Sequence, residues 1–453
     1  PGIGTCGERL SETEIRMERF NDAVRTVCDL LWNFPMLVLL AGTHLYFTIR
    51  LGFIQRKLPD GLRRSLSSAG SGGLSPYEAL STALAATIGT GNIIGISSAI
   101  ALGGPGAVFW CWISGFFGMA TCYAESVLSA ACRKKRADGS FYGGPMYVME
   151  QLLHNRLLAV LFSVFTVLAA LCVGSGVQAH SLTAVISRRL PVSVHWIGIA
   201  AALLAGSILI GGAKKTAKVC TCLVPVMSVL YLGSCLFLLV KNAAWIPAAL
   251  QAIFVSAFSK KAVIGGIAGT AVKMAVRTGM AKGLFTNEAG MGSMPMTAAA
   301  AEGLSTRDQG LVSMTGVFWD TLVMCAVTAL AILSDMVKNA APYRAAAVDE
   351  YCFVAFSNLP VAGEDLLSLC LVLFAFATII GWSFYGECAA RYLWGERGVT
   401  VFQVIYMVFV YLGSVCSLEL VWNLSDLCNA CMAVPNLWCL WKLKELIVEK
   451  TRN

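Results

Sequence analysis

The chain has 453 residues, 57% of them hydrophobic and only 13% charged, with a net charge of +8 and a mean hydropathy of +0.70. Soluble domains carry roughly 25% charged residues, so this composition excludes a water-soluble enzyme or regulator and predicts an all-α integral membrane protein. The positive charge collects in alternate loops between apolar runs, the pattern of cytoplasmic membrane loops, and argues against a nucleic-acid partner.

Residues 1–28 mix Arg9, Arg16, Arg19 and Arg25 with Glu8, Glu12, Glu14, Glu18 and Asp22, and read as an amphipathic surface segment. Residues 29–75 hold a leading apolar helix, Leu30–Ile49, and a loop carrying Arg50, Arg56, Lys57, Arg63 and Arg64. Ala79–Ala124 contains no charged residue and is long enough for two spans of about 20 residues, with Gly103-Gly104-Pro105-Gly106 as the turn between them. Further charge-free runs follow at Leu157–Ser187, Pro191–Ala213 and Val219–Val240, so residues 79–240 hold about five spans. Residues 262–440 hold about five more, through Ala262–Ala300, Leu311–Leu333, Leu366–Gly386, Val399–Leu418 and Leu420–Leu440. A basic tail, 441–453, closes the chain. The expected architecture is about 11 transmembrane helices: one leading helix, then two inverted repeats of about five helices, each opening on a helix broken by glycine. The loop charges put the N-terminus outside and the C-terminus in the cytoplasm of a plasma (inner) membrane protein.

The glycine breaks carry the most information. The first is Ala85-Ala86-Thr87-Ile88-Gly89-Thr90-Gly91-Asn92-Ile93-Ile94-Gly95, and the second runs from Thr278-Gly279 through Lys282-Gly283-Leu284-Phe285-Thr286-Asn287-Glu288-Ala289-Gly290-Met291-Gly292. Glycine weakens a helix, and unwound backbone at membrane depth is tolerated where it lines a cavity. A matched pair of such breaks therefore points to a transporter binding site. Small residues that let two helices approach closely are the rival explanation. A half-helix N-terminus offers free N–H groups to an anion, and the end of the other half offers carbonyls to a cation. A ligand carrying both charges would place its anionic group at Thr90-Gly91-Asn92. Gln178 lies one turn after Gly174 on the same face, and its amide both donates and accepts. Thr378 and Trp382 form a second such pair: a hard oxygen ligand and an apolar wall. Phe285 would close the pocket from the second break.

These motifs, with Gly103-Gly104-Pro105-Gly106-Ala107, Tyr123-Ala124-Glu125, Gly143-Gly144-Pro145-Met146-Tyr147, Ser313-Met314-Thr315-Gly316, Gly381-Trp382-Ser383-Phe384-Tyr385-Gly386-Glu387 and Pro435-Asn436-Leu437, stand in an order that resembles the alanine/glycine:cation symporter family. The resemblance spans about Leu30 to Leu440. It implies a leucine-transporter-like fold and sodium-driven uptake of alanine or glycine, in some members D-alanine. It also implies a Na+ site formed by Thr378 with the carbonyls of Ala85 and Ile88, and contacts from Gln178 and Thr378 to the substrate. The chain departs from the family at Gly174-Ser175-Gly176-Val177-Gln178, where Ser175 and Gly176 replace larger residues and suggest a roomier or differently polar pocket.

Among charged residues in or near spans, Arg277 and Lys282 are candidates to pair with Glu288 or Asp320 as gating elements, or to snorkel at helix ends. Glu125, Glu387 and Asp426 have no assigned partner. The four histidines show no metal spacing, and the Cys428/Cys431 pair is expected to be packed thiols. A proton-coupled transporter of the same fold is the first alternative. The sequence has no P-loop, which argues against ATP drive, and a membrane-embedded enzyme is remote, because no HExxH, GxSxG or paired-Cys site is present.

Overall fold

A computed structural model describes residues 12–33, 35–67, 73–136, 139–258, 268–360, 362–416 and 418–452. Helices account for nearly all of them. The leading pair is α1 (Glu12–Asn33) and α2 (Pro35–Arg50). The first broken element is α3 (Pro76–Thr87) and α4 (Ile94–Gly103), bent by 61°. Its start is fixed by a capping box: Ser75 Oγ accepts from Glu78 N (3.1 Å), Glu78 Oε2 accepts from Ser75 N (2.7 Å), and Pro76 occupies the first turn. The expected glycine turn follows, with Gly104 at φ 71, and leads into α5 (Gly106–Ala131).

A two-stranded antiparallel hairpin, Lys134–Lys135 with Phe141–Tyr142, precedes α6 (Arg156–Arg189). Residues Ala170–Val177 of α6 form a π-helical stretch. Next come α7 (Val194–Leu209), α8 (Gly212–Lys241) and α9 (Ile246–Phe258). The second broken element is α10 (Ala268–Asn287) with α11 (Met294–Ala300). The chain continues through α12 (Thr306–Lys338), π-helical over Phe318–Cys325, then α13 (Gly363–Val415) and α14 (Leu418–Lys442).

Among the described residues, six helices are long and apolar enough to cross a bilayer, and the bent pair α3/α4 makes a seventh. The expected eleven or so exceeds this number, and several of the remaining apolar elements are interrupted or short. Gly395, at φ 70 and ψ −162, breaks the 53-residue α13 in two, while α7, with 16 residues, is apolar but short.

Packing divides the helices into two groups. In one, α5 lies against α10, α11 and α12, and α10 against α4. In the other, α13 lies along α6 and α7. The groups meet where α13 crosses α3, and α8 touches both sides of that seam. The broken helices and the residues expected to face them therefore come together between two bodies of helices.

Candidate functional site

At the first break the helix is ended by its own side chains. Gly89 N donates to Asn92 Oδ1 (2.9 Å), and Asn92 N donates to Gly89 O (3.3 Å). Such local side-chain bonds compete with the helical ladder. They remove the donors that a continuing helix would bring to the carbonyls of Ala85 and Ile88. The N–H groups of Thr90 and Gly91 have no acceptor among the described residues. One short stretch thus presents both released carbonyls and released N–H groups.

Glycine is required here by space. Gly89 has an extended backbone (φ −129) that any residue adopts, but a Cβ would stand 2.6 Å from Thr378 Oγ1 and 3.7 Å from Gln178 Oε1. At Gly91 a Cβ would meet Thr286 Cγ2 at 3.1 Å and the Phe285 ring at 3.6 Å. The break is therefore walled by α6 and α13 on one side and by α10 on the other. Thr90 Oγ1 donates to Gln178 Oε1 (3.1 Å). Thr378 is 2% exposed, and its hydroxyl has no hydrogen-bond partner among the described residues, an unusual state for a buried polar group. Gly381, one turn on, packs so tightly on α3 that a Cβ would run into Ala86 N.

Ala85, Ile88, Thr90, Gly91, Gln178, Thr378 and Phe285 thus border the first break, whereas the Asn92 amide is turned to Gly89 N and Asp320. Gly174 and Trp382 pack on each other: a Cβ at Gly174 would collide with Trp382 and lie 3.0 Å from Tyr406 Oη, which donates to Ile379 O (2.7 Å). Gly174 lets α6 approach the base of the tryptophan, which is itself buried against Tyr385. The two family departures differ in their surroundings. Gly176 lies against Gly413, and the Ser175 hydroxyl donates to Leu171 O within its own helix.

The second break is shorter than its glycine pattern suggested. The backbone is helical through Gly279 and Gly283 to Asn287, and only Glu288–Ser293 is unwound. A Cβ at Gly279 would strike Ala107 O, and one at Gly283 would lie 3.1 Å from Cys111 O, so these two glycines serve close packing of α10 on α5. The unwound residues hold unusual torsions: Glu288 at φ 54, Gly290 at φ 92 and Gly292 at φ 84. A left-handed glutamate is strained. It is held by the Ser293 hydroxyl on its carboxylate and by Asn436 Nδ2, which donates to Gly290 O (2.9 Å) and to Glu125 Oε1 (3.2 Å).

The acids find neutral partners. Asp320 is fully buried; its Oδ1 accepts from Asn92 Nδ2 (2.7 Å) and its Oδ2 from Thr321 Oγ1 (2.8 Å). Lys282 places its ammonium over the rings of Phe285 (5.9 Å) and Trp422 (5.7 Å), which lie tilted at 40° with centroids 5.4 Å apart. This cation–π cluster caps the Phe285 side of the break. At the far end of the broken helices, Leu74 N donates to Ala300 O (3.2 Å), Glu302 N to Leu74 O (2.8 Å) and Arg133 Nη1 to Ala301 O (2.6 Å). A cavity of about 230 Å³ lies beyond each closure, one lined by Lys282, Phe285 and Trp32, the other by Leu74, Ala300, Phe384 and Cys388.

Sequence reasoning missed Gly381, Asn436, and the roles of Asp320 and Glu125. Gly381 and Asn436 fell within motifs already noted. The two acids were visible as charges inside apolar segments, the one available signal.

A sequence model described as the sodium:alanine symporter family matches residues 17–453. An uncharacterised transporter of Haemophilus influenzae is 40% identical over 93% of this chain and 93% of its own. The sodium/alanine symporter AgcS of Methanococcus maripaludis is 39% identical over 96% of this chain and 97% of its own. A probable sodium/glutamine symporter, GlnT of Bacillus subtilis, is 34% identical over 92% of this chain and 87% of its own.

Proposed function

This chain belongs to the sodium:alanine symporter family, and we propose that it couples the inward movement of Na+ to uptake of a small neutral amino acid, alanine or glycine and in either hand for alanine, across the plasma (inner) membrane. The observation that carries this reading is the Thr378 hydroxyl, without a partner among the described residues and facing Gly89, beside the released Ala85 and Ile88 carbonyls and the released Thr90 and Gly91 N–H groups. Three hard oxygens suit Na+, and the released N–H groups of Thr90 and Gly91, in the turn that Asn92 holds open, suit a carboxylate. Gln178 joins the substrate from α6, Trp382 limits its size with Gly174 behind it, and Phe285 forms the lid. Residues 79–240 and 262–440 act as the two inverted repeats, the N-terminus outside and the C-terminus in the cytoplasm. Two helix groups meeting at the site, with a cavity beyond each closure, support alternating access by rocking of one group against the other.

The test is uptake of labelled alanine by proteoliposomes under an inward Na+ gradient, an inward proton gradient, or neither. Only the Na+ gradient should drive accumulation. Accumulation driven by protons alone would replace this reading with the proton-coupled one.

Two variants probe the substrate side. Gln178→Ala removes the acceptor of Thr90 and should weaken alanine binding by about 1–3 kcal/mol, the usual cost of stranding a buried hydrogen-bonding group. An affinity equal to the parent's would return Gln178 to a structural role. Trp382→Phe shortens the wall. Attractive contacts separate substrates by only about 1–3 kcal/mol per methylene, so rejection of larger side chains requires a clash. The variant should admit serine or valine in competition assays graded from glycine to leucine. An unchanged cutoff would move the size limit to another residue. The named relatives cover both alanine and glutamine, so the cutoff of the parent is itself informative.

A further inference from the structure

We infer that an anionic phospholipid occupies a groove between α6 and the second half of α13, with its phosphate on Arg397. The groove encloses about 440 Å³, within the range of about 300–1,000 Å³ usual for ligand sites. Leu171 of α6 and Val401, Phe402 and Ile405 of α13 give it apolar walls, and Trp394 and Arg397 line it beside the turn at Gly395. That turn separates two apolar stretches of α13, so it stands at a membrane surface. The ion pair of Arg136 with Glu396 (3.4 Å) puts it on the same surface as the two-stranded hairpin. Trp394 is 60% exposed, at the level where amphipathic rings settle among lipid headgroups. The wall behind is rigid. Phe402 is buried, packs on Tyr406, and fills the space over Gly386, where a Cβ would collide with its ring. The groove is therefore a fixed feature of the fold.

Charge selects the occupant. Glu396 is taken by Arg391 (2.9 Å) and Arg136, whereas Arg397 has no acidic partner among the described residues. It is also the one charged side chain among the described residues that line the groove. An exposed guanidinium at a membrane surface, at the mouth of an apolar slot, matches a lipid phosphate, whose oxygens it can bond in pairs. The acyl chain gains little by leaving the bilayer for the slot, because lipid tails are as apolar as the side chains that line it. Discrimination therefore comes from the headgroup. The site should read lipid charge and tolerate different chains.

Native mass spectrometry of the purified chain in detergent tests this, with phosphatidylglycerol and phosphatidylcholine of identical acyl chains as the probes. The parent should retain phosphatidylglycerol under conditions that strip phosphatidylcholine. Arg397→Gln should weaken that retention by about fivefold or more, the worth of one basic residue at an anionic membrane surface. Val401→Trp fills the slot from an exposed position and should remove the bound lipid by an independent route. Arg63→Gln deletes an exposed charge outside the groove and should leave retention at the parental level. Equal retention of the two lipids by the parent, parental retention in Arg397→Gln or Val401→Trp, or an equal loss in Arg63→Gln would overturn the site. So would a dimer of the parent that Val401→Trp dissolves, which would give the groove to a second copy of this chain. These measurements need neither sodium nor amino acid, so they stand apart from the symport reading.

Discussion

Gly89→Ala should reduce sodium-driven alanine uptake by about 100-fold or more, the scale of a misplacement of about 1 Å in a preorganised site. The added methyl falls 2.6 Å from Thr378 Oγ1 and 3.7 Å from Gln178 Oε1, closer to the hydroxyl than carbon and oxygen approach. One of the walls must retreat, and either movement spoils the point where the break, α6 and α13 converge. The backbone at Gly89 lies in an extended region open to alanine, so the substitution adds volume without torsional strain. Expression, monodispersity and helical content should match the parent. Uptake per reconstituted molecule is the measurement, and parental uptake would show that the space between Gly89 and Thr378 is not used.

Thr378→Val should lower the apparent affinity for Na+ by at least about tenfold, or roughly 1.4 kcal/mol, with little change in the stability of the sodium-free protein. The two halves of this expectation have one cause. The Thr378 hydroxyl has no protein partner among the described residues, so valine strands no donor or acceptor and fills nearly the same volume. What it removes is an oxygen available to an ion. Thermal unfolding with and without Na+ separates the effects, because a ligand stabilises only the state that binds it. The parent should gain stability with Na+, and Thr378→Val should gain much less. Destabilisation of the sodium-free variant would instead identify Thr378 as a structural residue, and an unchanged Na+ response would remove it from the ion site.

The first break was legible in the sequence because its glycines and Asn92 fall within four residues, where local bonds alone end a helix. The second was only half legible. Gly279 and Gly283 look like helix breakers beside Gly290 and Gly292, yet they remain helical because the backbone of α5 comes within contact distance. Whether a membrane glycine unwinds or packs depends on what stands opposite, and that is tertiary information. The same holds for Gly174 and Gly176, whose small size answers to Trp382 and Gly413. The charged residues near the breaks were left without assigned partners by the sequence; Asp320 bonds Asn92 across 228 residues of sequence, Glu288 is held by Ser293, and Lys282 lies over Phe285 and Trp422. Span counting from hydropathy was limited by interruptions of another kind: Gly395 turns the chain inside a continuous helical stretch, which charge-free runs register only as a gap between two segments.

Calorimetric titration of the purified parent with alanine, in NaCl and in choline chloride of equal ionic strength, tests the central claim most directly. Binding free energies of coupled ligands are reciprocal, so Na+ held beside the substrate turn must raise alanine affinity, and alanine must raise Na+ affinity by the same factor. The account predicts tight alanine binding in NaCl and at least about tenfold weaker binding in choline, a coupling of roughly 1.4 kcal/mol or more. Equal alanine affinity in the two salts would contradict it.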